Sequence, residues 1–434
     1  MNLSRRDLLA GGVAGLGMLG VSALTGCSTS TDPKADQSDG GAEKLVLWIW
    51  PEGFDKATLA SVSKAQPSHR IRQDVIGGDF KQKLTTTFTA SSGLPDITGV
   101  KGEDIAFFRD HAEYFTDLNT LGAKDIKSEY LDWKWGQATT ADGKQLGIPS
   151  DVGPTALFYR ADILEQAGLP SEPDKVAAQM TTWDTFIEFG TKLLAAKRKT
   201  YLVRNSTGLF GTVWPQSGKG FIDEDKTYIG DQDHVRNAWD IAIKAFKAGI
   251  VATIHSNTSD SAAAVSEGRL PADFGASWHL ADLMVDAPQT KGKWRVCAHP
   301  GPAINQGGSF LSVPAGVPDP KASFIAIREL LSVKSQVHEY VHNGNFPASP
   351  KAYDDAKVCG PVEFLGGQHA AEVFGAAAKS VRPVYEDPNS DAVYAPFSAQ
   401  LEQVESSGKD AETAWQDAVA ESKRIAKQLH ITVK

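Results

Sequence analysis

The chain has 434 residues, of which 41% are hydrophobic and 22% are charged, so it can bury a substantial core and wholesale disorder is excluded. Its 44 basic and 53 acidic residues give a net charge of −9 without a long basic run, which argues against nucleic-acid binding. Its three cysteines are too few for a disulfide framework or a four-thiolate zinc site. The length predicts two lobes, or one large domain with additions, held together by packing.

The first 27 residues have the pattern of an export signal: a short charged start, an apolar stretch over residues 10–24 and a polar continuation. This apolar stretch is too short as a helix to cross the ~30 Å hydrocarbon core, so we predict a cleaved signal peptide over residues 1–27. Arg5 and Arg6 resemble the twin-arginine export motif, and the choice between that route and general secretion stays open. The residues before Cys27 resemble a bacterial lipobox, which predicts lipidation of Cys27.

The segment after the lipobox, residues 28–43, is rich in Ser, Thr, Asp and Gly and has no apolar periodicity. It is predicted to be a flexible tether. The expected location is therefore the outer face of a bacterial cell membrane, with membrane contact through the lipid anchor only. That location favours capture, hydrolysis or surface assembly over intracellular metabolism.

Strands and helices alternate at the start of the mature chain. The apolar patterns predict strand, helix, strand, helix and strand in turn at 44–50, 56–65, 71–75, 79–90 and from 94 onward. Such alternation is typical of an α/β fold with a mostly parallel sheet covered by helices, in which ligands bind beyond the carboxyl ends of the strands.

The remaining chain continues with mixed elements. Residues 146–160 are predicted to form two strands around a Pro and Gly break, which suits a crossing between lobes. A further strand is predicted at 309–313, and helices at 182–196 with Thr181 or Thr182 as the cap, 233–248, most of 319–341, and 398–430.

Several segments in this order resemble one known family. They are KLVLWIWPEGF at 44–54, SGLPDI at 92–97, the run from Gly147 to Leu169 followed by TWDTF at 182–186, GASWHL at 275–280 and GGSFLSVPAG at 307–316. Together they resemble the extracytoplasmic solute-binding proteins of carbohydrate ATP-binding-cassette (ABC) importers, the family 1 proteins similar to maltose-binding protein. FLGGQ at 364–368 further resembles members that handle oligosaccharides.

The resemblance implies an α/β, two-lobed periplasmic-binding-protein fold, each lobe a mostly parallel sheet flanked by helices, with several hinge crossings. The lobes it implies are residues 44–152 plus 307–346 and residues 153–306 plus 347–434. The implied function is capture of a sugar, in the oligosaccharide range, and delivery to an ABC importer permease. No catalysis and no cofactor are expected, and the protein is expected to be a monomer.

A sugar site needs aromatic faces for the C–H surface of the sugar and polar groups for its hydroxyls. Three tryptophans lie at predicted loop ends beside polar or acidic residues. Trp50 lies two residues before Glu52, Trp214 two residues before Gln216, and Trp278 four residues before Asp282. Each alone is more typical of core, since Trp is highly buried on average. With the family pattern, the three tryptophans, Glu52 and Asp282 become candidate ligand contacts.

The polar candidates follow predicted strands or lie at the lobe crossing. Asp79 with Phe80 opens the second helix, where the carboxylate is equally suited to capping or to ligand binding. Glu103 and Asp104 follow the third strand, where a solvated first turn of a helix is the alternative. The other candidates are Asp151 at the crossing, Gly308 for close backbone approach, Phe346 in NGNFP, and Gln368.

The strongest competing signal is His338-Glu339-Tyr340-Val341-His342, a match to HExxH in a predicted helix. In zinc peptidases the two histidines at i and i+4 bind the metal and the glutamate polarises water. The extended metzincin pattern is absent, because Asn345 and Ala348 stand where it needs glycine and histidine. A secreted zinc metallopeptidase is therefore an alternative hypothesis.

A carboxylate-dependent glycoside hydrolase is a second alternative, because Glu52, Glu103 and Asp151 could supply a catalytic pair. A metal-binding or amino-acid-binding protein is a third, which the tryptophan-rich candidate site disfavours. Cys297 and Cys359 could pair after export or remain thiols, and their spacing leaves both possibilities open.

Overall fold

The computed structural model describes residues 43–51, 53–255 and 258–434. The predicted signal peptide, the lipidation residue Cys27, all but the last residue of the predicted tether, and Glu52 lie outside the described residues. No helix in the described part of the chain combines the length and the apolar character needed to cross a membrane.

The strands are short and lie mainly in the first third of the chain and around residues 270–312. They are β1 (Glu43–Ile49), β2 (His69–Val75), β3 (Ile97–Lys101), β4 (Ile148–Pro149), β5 (Asp151–Val152), β6 (Ala156–Arg160), β7 (Ala272–Gly275), β8 (Trp294–Cys297), β9 (Ser309–Ser312) and β10 (Phe346–Pro347).

The helices fill the intervals between strands and make up most of the C-terminal part. They are α1 (Lys56–Ala65), α2 (Phe80–Ala90), α3 (Ile105–Asp110), α4 (Asp132–Gln137), α5 (Ala161–Gln166), α6 (Pro173–Gln179), α7 (Trp183–Ala196), α8 (Ser206–Val213), α9 (Asp233–Lys247), α10 (Ser259–Glu267), α11 (His279–Asp286), α12 (Pro320–Leu330), α13 (Val333–Asn343), α14 (Ala370–Ser380), α15 (Ser390–Ser407) and α16 (Ala411–Gln428). Short 3-10 helices join some of them, among them Gly102–Asp104 and Trp214–Ser217.

Two sheets form the framework. The five-stranded sheet has the order β2-β1-β3-β9-β4, with β1 parallel to β2 and β3, and β9 antiparallel to both β3 and β4. The three-stranded sheet has the order β7-β6-β8 and is antiparallel. The prediction of mostly parallel sheets is therefore wrong for the three-stranded sheet and holds for β1 and its neighbours.

The direction of β9 follows from the path of the chain. β9 returns from the three-stranded sheet and begins at the edge where β3 ends, as the pairing of Lys101 with Ser309 shows. A strand that enters a sheet at the edge where its neighbour leaves must run antiparallel to it. The crossing segments also meet each other, because β5 pairs with β10 and Pro154 forms an antiparallel bridge with Asn305.

The early sequence patterns predict the local elements well. α1 has the predicted bounds, and α7 begins after Thr182, whose side chain accepts a hydrogen bond from the amide of Thr185 as a helix cap. The predicted C-terminal helix at 398–430 is wrong, since the structure has two helices, α15 and α16, separated at Gly408. Gly408 has a φ of 69°, the left-handed conformation that ends helices.

Candidate functional site

A cavity of about 410 Å³ lies where elements from both sheets approach each other, and we call it the first cavity. Its wall includes residues of the 3-10 turn after β3, of α4, of the end of α8 and of the crossing between β8 and β9. The loop between α14 and α15, residues 381–389, completes it. Its volume falls in the ~300–1,000 Å³ range of small-ligand sites.

One wall of the first cavity is aromatic. Trp214 follows α8 directly and begins the 3-10 helix. Its ring contacts Phe221 edge to face at 5.2 Å between centroids and lies 6.3 Å from the ring of Tyr394. Tyr394 stacks on Phe210 at 5.8 Å, which anchors the wall in the core. These contacts give the cavity a fixed apolar face.

The indole nitrogen of Trp214 is a buried donor without an acceptor among the described residues. A buried donor that stays unpaired costs roughly 1–3 kcal/mol. Trp214 lines the first cavity, so an oxygen of a bound molecule is a suitable partner for this N–H group.

The 3-10 turn after β3 brings two carboxylates to the wall of the same cavity. Asp104 lies 3.3 Å from the ammonium of Lys81 on α2, and its side chain is 14% exposed. Burial raises the pKa of Asp104, and Lys81 opposes this effect. Glu103 is more exposed and lies at the limit of ion pairing, 4.0 Å from Lys101. Both carboxylates line the cavity.

A third carboxylate, Glu386, comes from the loop between α14 and α15. Gln137 on α4 donates to its Oε1 at 3.2 Å, and the ammonium of Lys134 donates to Gln137 Oε1 at 3.0 Å. Burial raises the pKa of Glu386, while Lys134 and Arg109 oppose the rise. Burial lowers the pKa of Lys134 to about 8, and its Nζ lies 4.2 Å from the ring centre of Phe310.

The family of the chain follows from its sequence. The sequence model of the bacterial extracellular solute-binding proteins matches residues 72–363, more than half of the chain. The chain belongs to this family. As a member of an extracellular family, it acts outside the cytoplasm.

The solute-binding fold is confirmed by a solved structure. The crystal structure of an extracellular solute-binding protein of family 1 matches with a TM-score of 0.83 and 24% identity, over 88% of this chain and 100% of that one. The chain therefore has the expected α/β, two-lobed fold of the periplasmic binding proteins.

Two curated relatives of this solute-binding protein carry sugar-binding names. The lactose-binding protein of Rhizobium radiobacter is 27% identical over 272 residues, which cover 60% of this chain and 62% of the relative. The arabinooligosaccharide-binding protein of Bacillus subtilis is 24% identical over 221 residues, which cover 48% of each chain. The chain thus spans less than two thirds of the length of these relatives.

Three of the predicted site residues line the first cavity together: Glu103, Asp104 and Trp214. Sequence reasoning missed Glu386 and Tyr394. Glu386 lies in an irregular segment, where a proline-bounded run with a tyrosine beside two acids, PVYEDP, was the available signal. Tyr394 lies in the apolar pattern of α15, which resembles ordinary core.

Three predicted contacts near the first strand, Asp79, Phe80 and Trp50, have partners within the protein. Asp79 caps α2 by accepting from the amide of Gln82 at 2.9 Å, so the capping alternative is the one observed. Phe80, the neighbouring predicted contact, is 5% exposed and packs in the core. Trp50 meets Phe80 edge to face at 5.7 Å and covers Gly99, where an added Cβ would lie 2.6 Å from the indole.

Asp151 and Gly308 fasten the crossing between the sheets. Asp151 accepts from the amide of Ser309 at 2.9 Å and from the hydroxyl of Ser150 at 2.7 Å. Burial raises the pKa of its carboxyl, and Lys134 opposes this effect. An added Cβ at Gly308 would lie 2.8 Å from the Asp151 carbonyl oxygen, so the glycine permits close backbone approach to the crossing. Neither residue is part of the wall of the first cavity.

Trp278 lies beside the cavity. Asp282 lies four residues after it, on α11. The indole of Trp278 is 36% exposed and donates to the carbonyl of Gln306 at 3.4 Å, and Gln306 itself lines the cavity. Asp282 lies 3.5 Å from Nδ1 of His279, whose Nε2 lies 3.2 Å from Asp273. Asp282 is therefore part of an ion-pair cluster in the structure.

Phe346 and Gln368, both predicted ligand contacts, have their side chains engaged within the protein. Phe346 is 0% exposed, with its ring among those of Tyr340, Tyr353 and Phe374. Gln368 pairs with the backbone of Val296: its Oε1 accepts from the amide at 2.8 Å and its Nε2 donates to the carbonyl at 2.7 Å. The ring of Phe346 is therefore packed among aromatic neighbours, and the amide of Gln368 is hydrogen-bonded to the backbone of β8.

The HExxH match lies on α13, and its histidines have protein partners. His338 Nε2 lies 2.7 Å from a carboxylate oxygen of Asp55, the residue that caps α1. Nδ1 of His342 lies 3.0 Å from the His338 carbonyl oxygen. The two rings are 3.9 Å apart, in contact with each other.

Glu339 is the buried centre of the same contact. Its Oε1 accepts from the hydroxyl of Thr58 and from the amide of Asp55, the latter at 3.1 Å, and its Oε2 accepts from Asn343 at 2.6 Å. Across residues 43–51, 53–255 and 258–434, no three His, Cys, Asp or Glu side chains are grouped so as to hold a metal ion. The motif therefore attaches α13 to α1.

The two cysteines in the described residues are free thiols. Cys297 is buried on β8, and burial raises the pKa of its thiol to about 12. Cys359 donates to the carbonyl of Tyr353 at 2.7 Å. The possibility of a disulfide between them is therefore not realised.

Proposed function

We propose that this protein captures a sugar outside the membrane and delivers it to the permease of an ABC importer. The ligand is held between the two lobes and released unchanged, so the protein is a binding component and does no catalysis. The peptidase and glycoside hydrolase hypotheses have no support from the family or from the curated relatives named above.

The make-up of the first cavity supports a sugar ligand. The rings of Trp214 and Tyr394 offer apolar faces that suit the C–H surface of a pyranose or furanose. In the same cavity, Glu103, Asp104 and Glu386 offer carboxylate oxygens, which form stronger hydrogen bonds to hydroxyl groups than neutral acceptors do. A ligand without hydroxyls would make no use of these acceptors.

The observation that carries this proposal is the unpaired indole N–H of Trp214 in the same cavity as these carboxylates. A sugar hydroxyl both donates and accepts hydrogen bonds. It can therefore satisfy the indole donor and a carboxylate acceptor in one bound molecule. The names of the two curated relatives, one for lactose and one for arabinooligosaccharides, agree with this class of ligand.

The direct test is a thermal-shift screen of the full chain against mono- and oligosaccharides, with and without EDTA, followed by calorimetry on each hit. A ligand that binds only the folded state raises the melting temperature, and the stabilisation grows with the logarithm of its concentration above Kd. We expect sugar-specific shifts that EDTA does not change. Melting that responds to EDTA and to peptides but to no sugar would contradict the proposal.

Capture by closure of two lobes is part of the proposal. The lobes would be residues 44–152 plus 307–346 and residues 153–306 plus 347–434. The pairing of β5 with β10 and the bridge between Pro154 and Asn305 support hinge crossings at these boundaries. A ligand that contacts both lobes shifts the equilibrium towards the closed form only by its preference for that form.

We also propose that the protein is a monomer attached to the membrane by lipid on Cys27, with residues 28–43 as the tether. The support is the lipobox pattern before Cys27 together with the extracellular family. Mass spectrometry of the membrane-extracted protein is expected to show a diacylglycerol-modified N-terminal cysteine. Cys27→Ala should move the protein out of the membrane fraction, and an unchanged distribution would contradict the anchor.

A further inference from the structure

The loop between α14 and α15 is held in place by side chains from other parts of the chain. Residues 381–387 form no helix or strand, and each of them lines the first cavity. Within the described part of the chain, the amides of residues 382–387 donate to no backbone carbonyl. A segment without backbone pairing of its own depends on contacts with its surroundings for its position. The contacts that hold this loop therefore control one wall of the cavity.

Arg109, near the end of α3, makes one of these contacts. Its Nη2 donates to the Glu386 carbonyl oxygen at 2.6 Å, and its guanidinium lies 5.7 Å from the ring centre of Tyr385. A hydrogen bond from a charged donor is roughly twice as strong as a neutral one. Tyr385 and Glu386 line the cavity, whereas Arg109 does not. Arg109 therefore fixes two residues of the wall from outside the cavity.

Lys226 makes a second contact. Its Nζ lies 2.7 Å from a carboxylate oxygen of Asp387, whose side chain is fully buried. The same Nζ lies 3.5 Å from a carboxylate oxygen of Asp110, the neighbour of Arg109 on α3. Burial alone would lower the pKa of Lys226, but hydrogen bonds to Asp387 and Tyr385 raise it, so the ammonium stays charged. This one charge therefore joins the loop to α3.

Lys226 has a backbone conformation that is unusual for a lysine. Its φ is 56°, in the left-handed region that glycine adopts readily and that a residue with a Cβ adopts at a cost. Its carbonyl accepts from the amide of Thr432 at 3.0 Å, which fixes this conformation. A glycine would suit the backbone better, so the advantage of a lysine at this position lies in its side chain.

Both contacts cross the cleft, because α3 lies in the first of the two proposed lobes and the loop and Lys226 lie in the second. Building on the proposed function, we propose that Arg109, Asp110 and Lys226 form a latch outside the cavity that holds the cleft closed and sets the rate of sugar release. They are positioning residues, which act through the loop and do not touch the sugar. A smaller closed fraction raises the apparent Kd of every ligand by the same factor.

The test measures association and dissociation rates of the full chain for each sugar that the thermal-shift screen identifies. Stopped-flow tryptophan fluorescence is suitable, because Trp214 lines the cavity. Arg109→Ala should raise koff about tenfold and change kon by about threefold or less. It should weaken all sugars by the same factor, whereas loss of a residue that contacts the sugar would change their ranking. Arg109→Lys keeps the charge and should have an intermediate koff.

Asp110→Asn isolates the exposed ion pair of the latch. The side chains of Lys226 and Asp110 are 47% and 53% exposed, and salt screens such a pair. Between about 0.05 M and about 1 M NaCl, koff of the parent should rise about threefold and koff of Asp110→Asn should rise less.

Arg424→Ala is the matched control. Arg424 is a half-exposed arginine on α16 that pairs with Glu421 of the same helix at 2.6 Å and does not line the cavity. Its removal should leave both rates and their salt dependence as in the parent protein. Circular dichroism melts would show that all four variants are folded.

The outcomes separate the latch from the function it rests on. Unchanged koff in folded Arg109→Ala, or a changed ranking of the sugars, would overturn the latch and leave sugar capture standing. A lack of binding to any sugar would overturn the proposed function, and small-angle X-ray scattering without sugar then decides the latch. Arg109→Ala should have a larger radius of gyration than the parent, and equal values would overturn the latch as well.

Discussion

The first cavity and the contact between α13 and α1 contain similar residue types but differ in what these residues are bonded to. In the α13 contact, Glu339 accepts three hydrogen bonds from protein donors, and His338 pairs with the carboxylate of Asp55. In the first cavity, the indole donor of Trp214 has no acceptor among the described residues. The α13 residues match a catalytic motif, whereas the cavity residues match none.

The difference shows that residue identity alone does not mark a binding site, and that the bonding state of the polar groups and their position on a cavity wall must be considered together. Polar groups whose hydrogen bonds are all made within the protein stabilise the fold and have little left for a ligand. Polar groups that face a cavity with capacity to spare can bind one. Substitutions in the α13 contact should therefore change stability, and substitutions in the cavity should change ligand affinity.

The largest effect is expected for Glu339→Ala. Removing this buried carboxylate leaves the donors of Thr58, Asp55 and Asn343 without their acceptor, which should lower the free energy of unfolding by about 4 kcal/mol. Urea unfolding followed by circular dichroism measures the change. Glu372→Ala, at an exposed position on α14, is the control and should change it by about 0.5 kcal/mol or less.

Two further measurements test whether the α13 contact takes part in ligand or metal binding. The folded fraction of Glu339→Ala should bind sugar with the parent affinity, and added zinc should not raise the melting temperature of the parent protein. Zinc-dependent stabilisation that disappears in His338→Ala would show that α13 holds a metal, and the comparison would then be wrong.

A second buried cluster, around His279, should stabilise the fold to an extent that depends on pH, which allows a further test of the difference between structural clusters and the cavity. Burial alone would lower the pKa of His279, but hydrogen bonds to Asp273 and Asp282 raise it to about 9. Arg204 pairs with the same Asp273 carboxylate. The cluster lies next to Trp278, yet its charged groups form ion pairs with one another, with Nε2 of His279 3.2 Å from Asp273. We therefore expect it to behave like the α13 contact.

The sign of the effect follows from the raised pKa of His279. The protonated ring stabilises the fold fully below its unfolded pKa of about 6.5, and this contribution is lost as the pH rises through about 9. Its size is on the order of 3 kcal/mol. Urea unfolding between pH 6 and 10 should show that the parent has the higher free energy of unfolding at pH 6 and that its difference from His279→Gln shrinks as the pH rises. A constant difference across this range would contradict the assignment.

The sequence predicted local elements better than the site. β1, α1 and the Thr182 cap follow from apolar patterns and capping residues that are read within a few positions. Glu386 meets Gln137 across 249 residues, and no local pattern specifies such a contact. For the same reason the sequence did not reveal the partners of Phe346 and Gln368, because these partners come from distant segments.

The third prediction concerns the aromatic wall. Trp214→Ala should weaken sugar binding about 100-fold, close to 2.7 kcal/mol, because both the apolar face and the unpaired donor are removed. Trp214→Phe keeps a ring and removes only the N–H group, and should cost about fivefold, or 1 kcal/mol. Calorimetry on folded variants measures both. Equal affinity for the parent and both variants would place the ligand elsewhere.

The last prediction concerns the carboxylate of Glu386. An ionised carboxylate accepts stronger hydrogen bonds from ligand hydroxyls than the neutral amide of Glu386→Gln, which should weaken binding about tenfold at neutral pH. Burial raises the pKa of Glu386, against the opposing charges of Lys134 and Arg109, and Asp391 adds to the rise. Its ionised form is therefore lost at a higher pH than for an ordinary glutamate.

The parent protein should consequently lose sugar affinity as the pH falls through this raised pKa, above the normal range of a glutamate near 4.3. Glu386→Gln should have a flatter pH profile, with the remaining dependence coming from Asp104, whose pKa burial also raises. Glu372→Gln, on the exposed face of α14, should follow the parent profile. A variant that loses affinity without flattening the profile would assign Glu386 to the support of Gln137 and not to contact with the ligand.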